Sequence, residues 1–246
     1  MTDLAGKVAL VTGGSRGIGA AIARRLAADG ATVALTYRNG GALAEEVVSG
    51  IEAGGGHALA IRADSGDAAE VAAAVHYAAD ELGRFDILVN NAGIFAAKPF
   101  EEFSVEEVDR ALHVHARAAF VGAQAAVGRM NGGGRIISIG SNLTERAPFA
   151  GLTLYNLSKS ALNGFTKALA RELGPRDITV NLVQPGSTDT DMNPADAEDA
   201  ADQVALSALG RFGAAEDIAG TVAFLAGPSG RNITGAILTV DGGTNA

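Results

Sequence analysis

Short apolar runs alternate along the chain with longer segments whose apolar residues recur at helical spacing. The runs predict strands from Val8, at Thr32–Tyr37, Ala58–Arg62, Ile87–Val89, Arg135–Ile139, Ile178–Val183 and Ala236–Val240. The helical segments begin near Ile18, Ala42, Asp67, Ser104, Tyr155 and Ala215. Alternation of this kind requires a parallel sheet with helices on both faces. The pattern therefore predicts an α/β, doubly wound fold with a seven-stranded parallel sheet.

Polar residues indicate where several helices begin and end. Asp67 with Glu70, and Ser104 with Glu107, have the spacing of capping boxes. We expect the helix after Ser104 to reach about Met130, where Asn131 and three glycines would terminate it. The segment after the sixth strand, about 187–208, lacks periodicity over its first half and suits a mobile substrate lid.

Composition narrows the class of protein. The 246 residues are 48% hydrophobic and 19% charged, with no linker or composition shift, so we expect one domain over 1–246. A net charge of −9 and 5% aromatic residues argue against nucleic-acid and anionic-membrane partners. Cysteine is absent, which excludes disulfides and thiolate metal sites, and we expect no metal. Neither a leader nor a long apolar segment is evident, so we expect a cytoplasmic location.

The turn after the first strand, TGGSRGIG, holds four glycines and leads directly into a helix. Glycine permits positive φ and close approach of a ligand, and a helix N-terminus attracts phosphate. The spacing of Gly13, Gly17 and Gly19 departs from the usual dinucleotide fingerprint. By itself this turn is equally consistent with a phosphate cradle and with a structural corner.

Polar or glycine-rich residues follow the other strands as well. Arg38, Asp64 with Ser65, the run 90–93 (NNAG), Ser141 and Pro185 with Gly186 each come at a strand end. Because ligands of open parallel sheets bind beyond the carboxyl ends of the strands, these residues are expected to meet in one crevice.

Tyr155 and Lys159 lie four residues apart in a predicted helix, so their side chains share one face. A cation beside a phenol favours the phenolate and makes the tyrosine an acid or base near neutral pH. Such pairs are also common on helices with only a structural role.

Five motifs together decide between these alternatives. The turn TGGSRGIG, NNAG at 90–93, Ser141, Tyr155-x-x-x-Lys159 and Pro185-Gly186 resemble, in order and spacing, the short-chain dehydrogenase/reductase (SDR) family over essentially the whole chain. The resemblance implies a Rossmann-type fold in which Tyr155 donates a proton during reduction. Lys159 would hold the nicotinamide ribose and lower the pKa of Tyr155, and Ser141 would bind the substrate carbonyl. Ser138 is a rival to Ser141, but it lies inside the predicted strand.

The resemblance also implies a cofactor site. Its residues are Gly13, Ser15, Arg16, Ile18 and Gly19 at the phosphates and adenosine ribose; Asp64 and Ser65 at the adenine; Asn91, Ala92 and Gly93 at the ribose and nicotinamide, beside Tyr155 and Lys159; and Pro185, Gly186, Thr188 and Thr190 at the carboxamide.

The choice of nicotinamide depends on the end of the second strand. A carboxylate there binds the ribose hydroxyls of NAD and repels the 2′-phosphate of NADP. Here Tyr37 occupies that position, Arg38 follows it, and Arg16 faces the same region. These residues favour NADP (NADPH).

One residue departs from the family pattern. The family carries an Asn that positions a relay water in the helix before the fifth strand, and alignment places His115 there. We interpret His115 either as a catalytic residue that holds the water or passes a proton, or as a packed helix residue. His113, two positions away, is expected to be structural.

The expected function is NADPH-dependent reduction of a small-molecule ketone, most similar to that of 3-oxoacyl-acyl-carrier-protein reductases. The lid is acidic, which is unfavourable for an acidic carrier protein and makes a small or hydrophobic ketone an equal alternative. Alternative interpretations are a sugar, polyol or secondary-alcohol dehydrogenase and a nucleotide-sensing protein without turnover. A third is a dehalogenase-like member of the family, which the intact glycines and Lys159 disfavour. By analogy with the family we expect a homotetramer.

Overall fold

The computed structural model describes residues 3–246, which contain one seven-stranded sheet with helices on both faces. The strands are β1 (Val8–Val11), β2 (Thr32–Tyr37), β3 (His57–Arg62), β4 (Phe85–Asn90), β5 (Met130–Ile139), β6 (Thr179–Pro185) and β7 (Ile237–Val240). The helices are α1 (Gly17–Ala28), α2 (Gly41–Ala53), α3 (Ala68–Leu82), α4 (Val105–Leu112), α5 (Ala118–Val127), α6 (Thr153–Leu173), α7 (Ala200–Leu206) and α8 (Ala215–Ala226). All strand pairs are parallel, in the order β3-β2-β1-β4-β5-β6-β7. The predicted doubly wound α/β fold is confirmed.

Alternate residues of each central strand face opposite sides of the sheet, so both faces bury apolar side chains. In β1, Ala9 and Val11 pack in the cluster that contains residues of α1, α2 and α8. Leu10, between them, packs in the cluster that contains residues of α3, α5 and α6. Burial on both faces explains why the strands read as continuous apolar runs.

The helical region predicted to run from Ser104 to about Met130 is interrupted and ends earlier. A π-helical turn, His113–Arg117, separates α4 from α5, and α5 ends at Val127. Asn131 and the three glycines do not terminate this helix; they lie within β5. Gly133 has φ +86°, and the pairing of β4 with β5 shifts register between Phe85 and Ile87. Glycine here accommodates a bulge in a strand, which has the same sequence signal as a helix end.

The two expected capping boxes have different outcomes. Ser104 and Glu107 form a reciprocal capping box at the start of α4. Asp67 caps α3 by accepting from the N–H groups of Ala69 and Glu70, but the Glu70 carboxylate binds the N–H of Asp64 instead of closing a box. The hydrogen bond between the Glu70 carboxylate and the Asp64 N–H fixes the loop after β3 at the carboxyl end of the sheet.

Strand order reverses between β1 and β4, and this switch point creates a crevice at the carboxyl ends of the strands. The lid segment 187–208 follows β6 and is largely irregular until α7 begins at Ala200. Among residues 3–246, none of the helices has both the length and the apolar character needed to cross a membrane.

Candidate active site

A cavity of about 590 Å³ occupies the crevice. Residues that follow six different strands line it, together with residues of the lid. The lining includes every sequence-predicted site residue except His115: Gly13, Ser15, Arg16, Ile18, Gly19, Arg38, Asp64, Ser65, Asn91, Ala92, Gly93, Ser141, Tyr155, Lys159, Pro185, Gly186, Thr188 and Thr190.

The glycine turn forms one wall of this cavity. Gly13 and Gly17 have φ values of +65° and +51°, which favour glycine. A Cβ on Gly19 would lie 2.5 Å from Nδ2 of Asn91 and would also overlap the carbonyl oxygen of Gly13. The N-cap residue of α1, Arg16, makes no side-chain cap, and the first turn contains no acidic residue. The turn therefore leaves helix N–H groups free for an anion.

Asn91 connects the glycine turn to the loop after β4 through hydrogen bonds. Its Nδ2 donates to the carbonyl oxygens of Thr12 at 2.9 Å and Gly13 at 3.1 Å. The Thr12 hydroxyl accepts from the N–H groups of Asn91 and Ala92 at 2.9 and 3.1 Å. The Asn91 side chain thus holds the shape of the cradle through main-chain contacts.

At the far end of the cavity, Asp64 pairs with Arg110 from α4. The two guanidinium nitrogens of Arg110 lie 2.8 and 3.2 Å from the Asp64 carboxylate, which also accepts from the N–H of Gly66 at 2.7 Å. The hydrogen bond from Arg110 holds the pKa of Asp64 below its usual value. Sequence reasoning missed Arg110, because only the docking of α4 brings it to the loop after β3.

Positive charge is concentrated beside the glycine turn. Arg16 and Arg38 both line the cavity, and β2 ends at Tyr37 without a carboxylate. Nη1 of Arg16 lies 2.7 Å from Oδ2 of Asp191 in the lid. This ion pair joins residues 175 positions apart, and no sequence signal indicates it.

Ser141, Tyr155 and Lys159 line the same cavity. Ser141 caps the short turn after β5 and accepts from the N–H of Leu143 at 3.2 Å. Lys159 is buried in α6 and donates to the carbonyl oxygen of Ile139 at 2.9 Å. The rival Ser138 is fully buried in the sheet, where its hydroxyl accepts from Asn90 at 3.4 Å.

Burial lowers the pKa of Lys159 to about 8. Loss of hydration raises the pKa of Tyr155, and interaction with the Ser141 hydroxyl offsets only part of that rise. Desolvation therefore sets the direction of the Tyr155 pKa in the chain alone, and its expected lowering by Lys159 stays a prediction. A tyrosine with a raised pKa stays protonated at neutral pH, which is the state that a proton donor requires.

His115 lies behind the cavity wall. It lines a separate space of about 10 Å³ together with Thr12, Asn90 and Lys159. Its Nε2 accepts from the N–H of Ile94 at 3.0 Å, and its Nδ1 lies 2.8 Å from Oγ of Ser158. Burial lowers the pKa of His115 to about 2, so the ring is neutral.

Three large apolar side chains line the cavity, and one of them packs against Tyr155. The Phe95 ring packs edge-on against Tyr155, with centroids 4.9 Å apart. Phe95, Phe149 and Met192 line the cavity and remain 46%, 47% and 52% exposed. Large apolar side chains that converge on a cavity and stay exposed indicate an apolar ligand surface.

A doubly wound sheet with a glycine-rich first turn and a Tyr–Lys pair at its switch point is the architecture of dinucleotide-dependent oxidoreductases. Residues 13–245 match the sequence model of the family described as enoyl-(acyl carrier protein) reductase. The chain belongs to the short-chain dehydrogenase/reductase family.

Three similar proteins cover nearly all of the chain. A short chain dehydrogenase from Burkholderia cenocepacia J2315, solved in complex with NADP, is 56% identical, with a TM-score of 0.97 and 99% of each chain covered. A blue fluorescent protein from a metagenomic library, solved with NADPH, is 56% identical, with a TM-score of 0.97 over 99% of this chain and 100% of that one. The cyclic-di-GMP-binding biofilm dispersal mediator protein of Escherichia coli K12 is 42% identical over 100% of both chains.

Proposed function

We propose that the protein reduces a ketone to an alcohol with NADPH, and that Tyr155 donates the proton. The observation that carries this proposal is one cavity that joins the glycine turn and its two arginines to Ser141, Tyr155 and Lys159. The similar proteins from Burkholderia and the metagenomic library were solved with NADP and NADPH, which supports the same cofactor here.

The residues present suit a phosphorylated dinucleotide. A Cβ on Gly13 would press on Ala92, and one on Gly19 would overlap the Gly13 carbonyl and Asn91, so glycine preserves the shape of the turn. The free N–H groups of α1 suit the pyrophosphate. Arg16 and Arg38 provide positive charge for a 2′-phosphate, and no carboxylate stands at the end of β2 to repel it. NADPH, when bound, supplies the hydride.

The chain's own residues supply the proton and orient the carbonyl. The Ser141 hydroxyl is placed to donate to the carbonyl oxygen as negative charge develops on it. Tyr155, a phenol that is protonated at neutral pH, transfers its proton to that oxygen. Lys159 provides the ammonium that stabilises the resulting phenolate, and its carbonyl contact with Ile139 holds it in place.

We propose an uncharged, largely apolar ketone as the substrate. Phe95 offers apolar surface beside Tyr155, and Phe149 and Met192 add apolar surface elsewhere in the cavity. The lid carries Asp189, Asp191, Asp196, Glu198, Asp199 and Asp202, which disfavour anionic substrates and an acidic carrier protein. The apolar lining and the acidic lid therefore favour the hydrophobic ketone over an acyl-carrier-protein thioester.

The test follows NADPH oxidation with pairs of ketones matched in size, one neutral and one carrying a carboxylate. We expect turnover of the neutral member and a kcat/KM lower by about tenfold or more for its acid, since a desolvated charge without a partner is costly. Phe149→Ala is expected to raise KM for the neutral ketone, whereas Tyr77→Ala, an exposed aromatic on α3 outside the cavity, is the matched control.

Two other functions are outcomes of the same test. Efficient NADP-dependent oxidation of alcohols without ketone reduction would favour a dehydrogenase. NADPH binding without turnover of any ketone would favour a nucleotide-binding regulator, a function that the name of the E. coli relative makes worth testing.

We also propose a homotetramer. Phe120 on α5 and Leu157 on α6 are 57% and 56% exposed, and an apolar helix face of this kind suits contact with a second copy. Light scattering of the purified protein would give the mass, and a mass other than that of four chains would refute the proposal.

A further inference from the structure

Both ring nitrogens of His115 are held by other parts of the protein. Nε2 accepts from the Ile94 main chain at 3.0 Å, and Nδ1 lies 2.8 Å from Oγ of Ser158. The Ser158 hydroxyl in turn donates to the carbonyl oxygen of Tyr155 at 2.9 Å. His115 therefore connects the loop after β4 to the first turn of α6, which carries the proposed proton donor.

The directions of these hydrogen bonds define one tautomer. A main-chain N–H always donates, so Nε2 must be the unprotonated nitrogen. A neutral ring then carries its proton on Nδ1 and donates this hydrogen bond to Oγ of Ser158. The Ser158 hydroxyl donates its own hydrogen to the main-chain carbonyl oxygen of Tyr155. Each donor and acceptor in this chain is occupied, and the ring is only 3% exposed. A proton relay through the ring would require it to release the Ile94 N–H.

The π-helical turn places His115 at this point. His113–Arg117 forms the turn, and His115 and Val114 are its buried members. A Cβ on Gly93 would lie 3.3 Å from Nε2 of His115 and 3.4 Å from Nζ of Lys159. The His115 ring stands edge-on to Tyr155, with centroids 5.9 Å apart. π-turns inside helices are frequent at functional sites, and this one directs a side chain between the cofactor loop and the catalytic helix.

We propose that His115 is a positioning residue that fixes Tyr155 relative to the cofactor-facing loop at Gly93 and Ile94, and that it carries no proton during turnover. This inference rests on the proposed function. It chooses between the two interpretations that the sequence leaves open, and it assigns Ser158 a role in the same chain of hydrogen bonds.

Kinetics of three variants test the proposal. In His115→Gln the amide oxygen can replace Nε2 as the acceptor from Ile94, whereas His115→Ala and Ser158→Ala break the chain. A misplaced donor lowers the chemical step, so we expect kcat to fall about 10–100-fold in His115→Ala with little change in KM for NADPH. We expect His115→Gln to recover most of that loss, and the pH dependence of kcat to keep its shape in all variants. His113→Ala is the matched control from the same turn.

A relay role predicts the opposite pattern. A glutamine cannot pass a proton at neutral pH, so His115→Gln would then be as slow as His115→Ala, and the pH–rate profile would lose a limb. Thermal unfolding of each variant separates loss of positioning from loss of fold.

A second measurement does not depend on turnover. Nitrogen-15 NMR of the cofactor-free protein should show His115 as the neutral tautomer protonated on Nδ1, without titration between pH 5 and 8. A ring protonated on Nε2, or one that titrates in this range, would overturn the inference. If the wild-type protein binds NADPH but reduces no ketone, the proposed function fails while this measurement still tests the placement of His115.

Discussion

Nη1 of Arg16 in the glycine turn lies 2.7 Å from Oδ2 of Asp191 in the lid. The pair spans the cavity beside the proposed phosphate site, and Thr190 and Asp191 also lie against Gly17. Both side chains are largely exposed, at 61% and 47%, so the pair is weak and yields readily to a stronger anion. We therefore propose that Asp191 competes with the cofactor phosphates for Arg16.

Removing this carboxylate is expected to tighten cofactor binding. We predict that Asp191→Asn lowers the Kd for NADPH by about two- to fivefold at low salt, an effect that added salt reduces. Fluorescence titration of NADPH at two ionic strengths measures it. Asp196→Asn, which removes an exposed lid charge outside the cavity, is the control. Weaker binding in Asp191→Asn would instead mean that the ion pair clamps the lid over the bound cofactor.

Arg38 is predicted to select NADPH over NADH. Arg38→Asp places a carboxylate directly after β2, where it binds ribose hydroxyls and repels a 2′-phosphate. We expect the ratio of kcat/KM for NADPH to that for NADH to fall by at least about tenfold. Arg24→Asp makes the same charge change on the exposed side of α1 and should leave the ratio unchanged. Equal use of both cofactors by the wild type would contradict the assignment.

Two glycine substitutions test whether the glycine turn needs glycine for its shape. One lies in the turn, and the other lies on an exposed helix face, where only helix propensity changes. Gly19→Ala places a Cβ against the Gly13 carbonyl and Asn91, so we expect a loss of about 1–3 kcal/mol of stability and at least tenfold weaker NADPH binding. Gly164→Ala lies on the exposed face of α6 with no atom within 4 Å of the new Cβ, and it should stabilise the protein by about 1 kcal/mol. Thermal unfolding and NADPH titration of both variants give the comparison. Tight NADPH binding by Gly19→Ala would refute the cradle.

The pH dependence of reduction is expected to follow Lys159 and Tyr155. A lowered pKa means that Lys159 keeps its ammonium below about pH 8 and loses it above. Tyr155, whose pKa is raised, remains a proton donor across this range. Reductive kcat should therefore be level near neutral pH and fall as the pH rises through about 8. A rate that rises through this range would show that the ammonium is not needed.

Much of the fold was predictable because it depends on local pattern. The apolar runs located all seven strands. The central strands are buried on both faces and must be apolar throughout, whereas β3 and β7, at the edges of the sheet, are only partly buried. The break between α4 and α5 was not predictable, because the π-helical turn spans only five residues, too few for a change of periodicity to show in the sequence. The glycines at 132–134 were misread for a similar reason, since a bulge and a helix end require the same backbone freedom.

Part of the candidate site was also predictable from the sequence, and part was not. Because the carboxyl ends of parallel strands meet at one edge of the sheet, the sequence predicted that the glycine turn, Ser141, Tyr155 and Lys159 share one crevice. All of them line the cavity. The raised pKa of Tyr155 was not predictable, because it depends on how far the folded chain excludes water from the phenol.

The sequence by itself determined the fold class, the family and the residues at the strand ends, because these depend on periodicity and on motifs of adjacent residues. Only the tertiary structure decided the partners of those residues: Asp191 for Arg16, Arg110 for Asp64, and Ile94 and Ser158 for His115. These contacts join distant segments through packing, and a side chain's charge or hydrogen-bonding capacity does not specify which distant group will satisfy it.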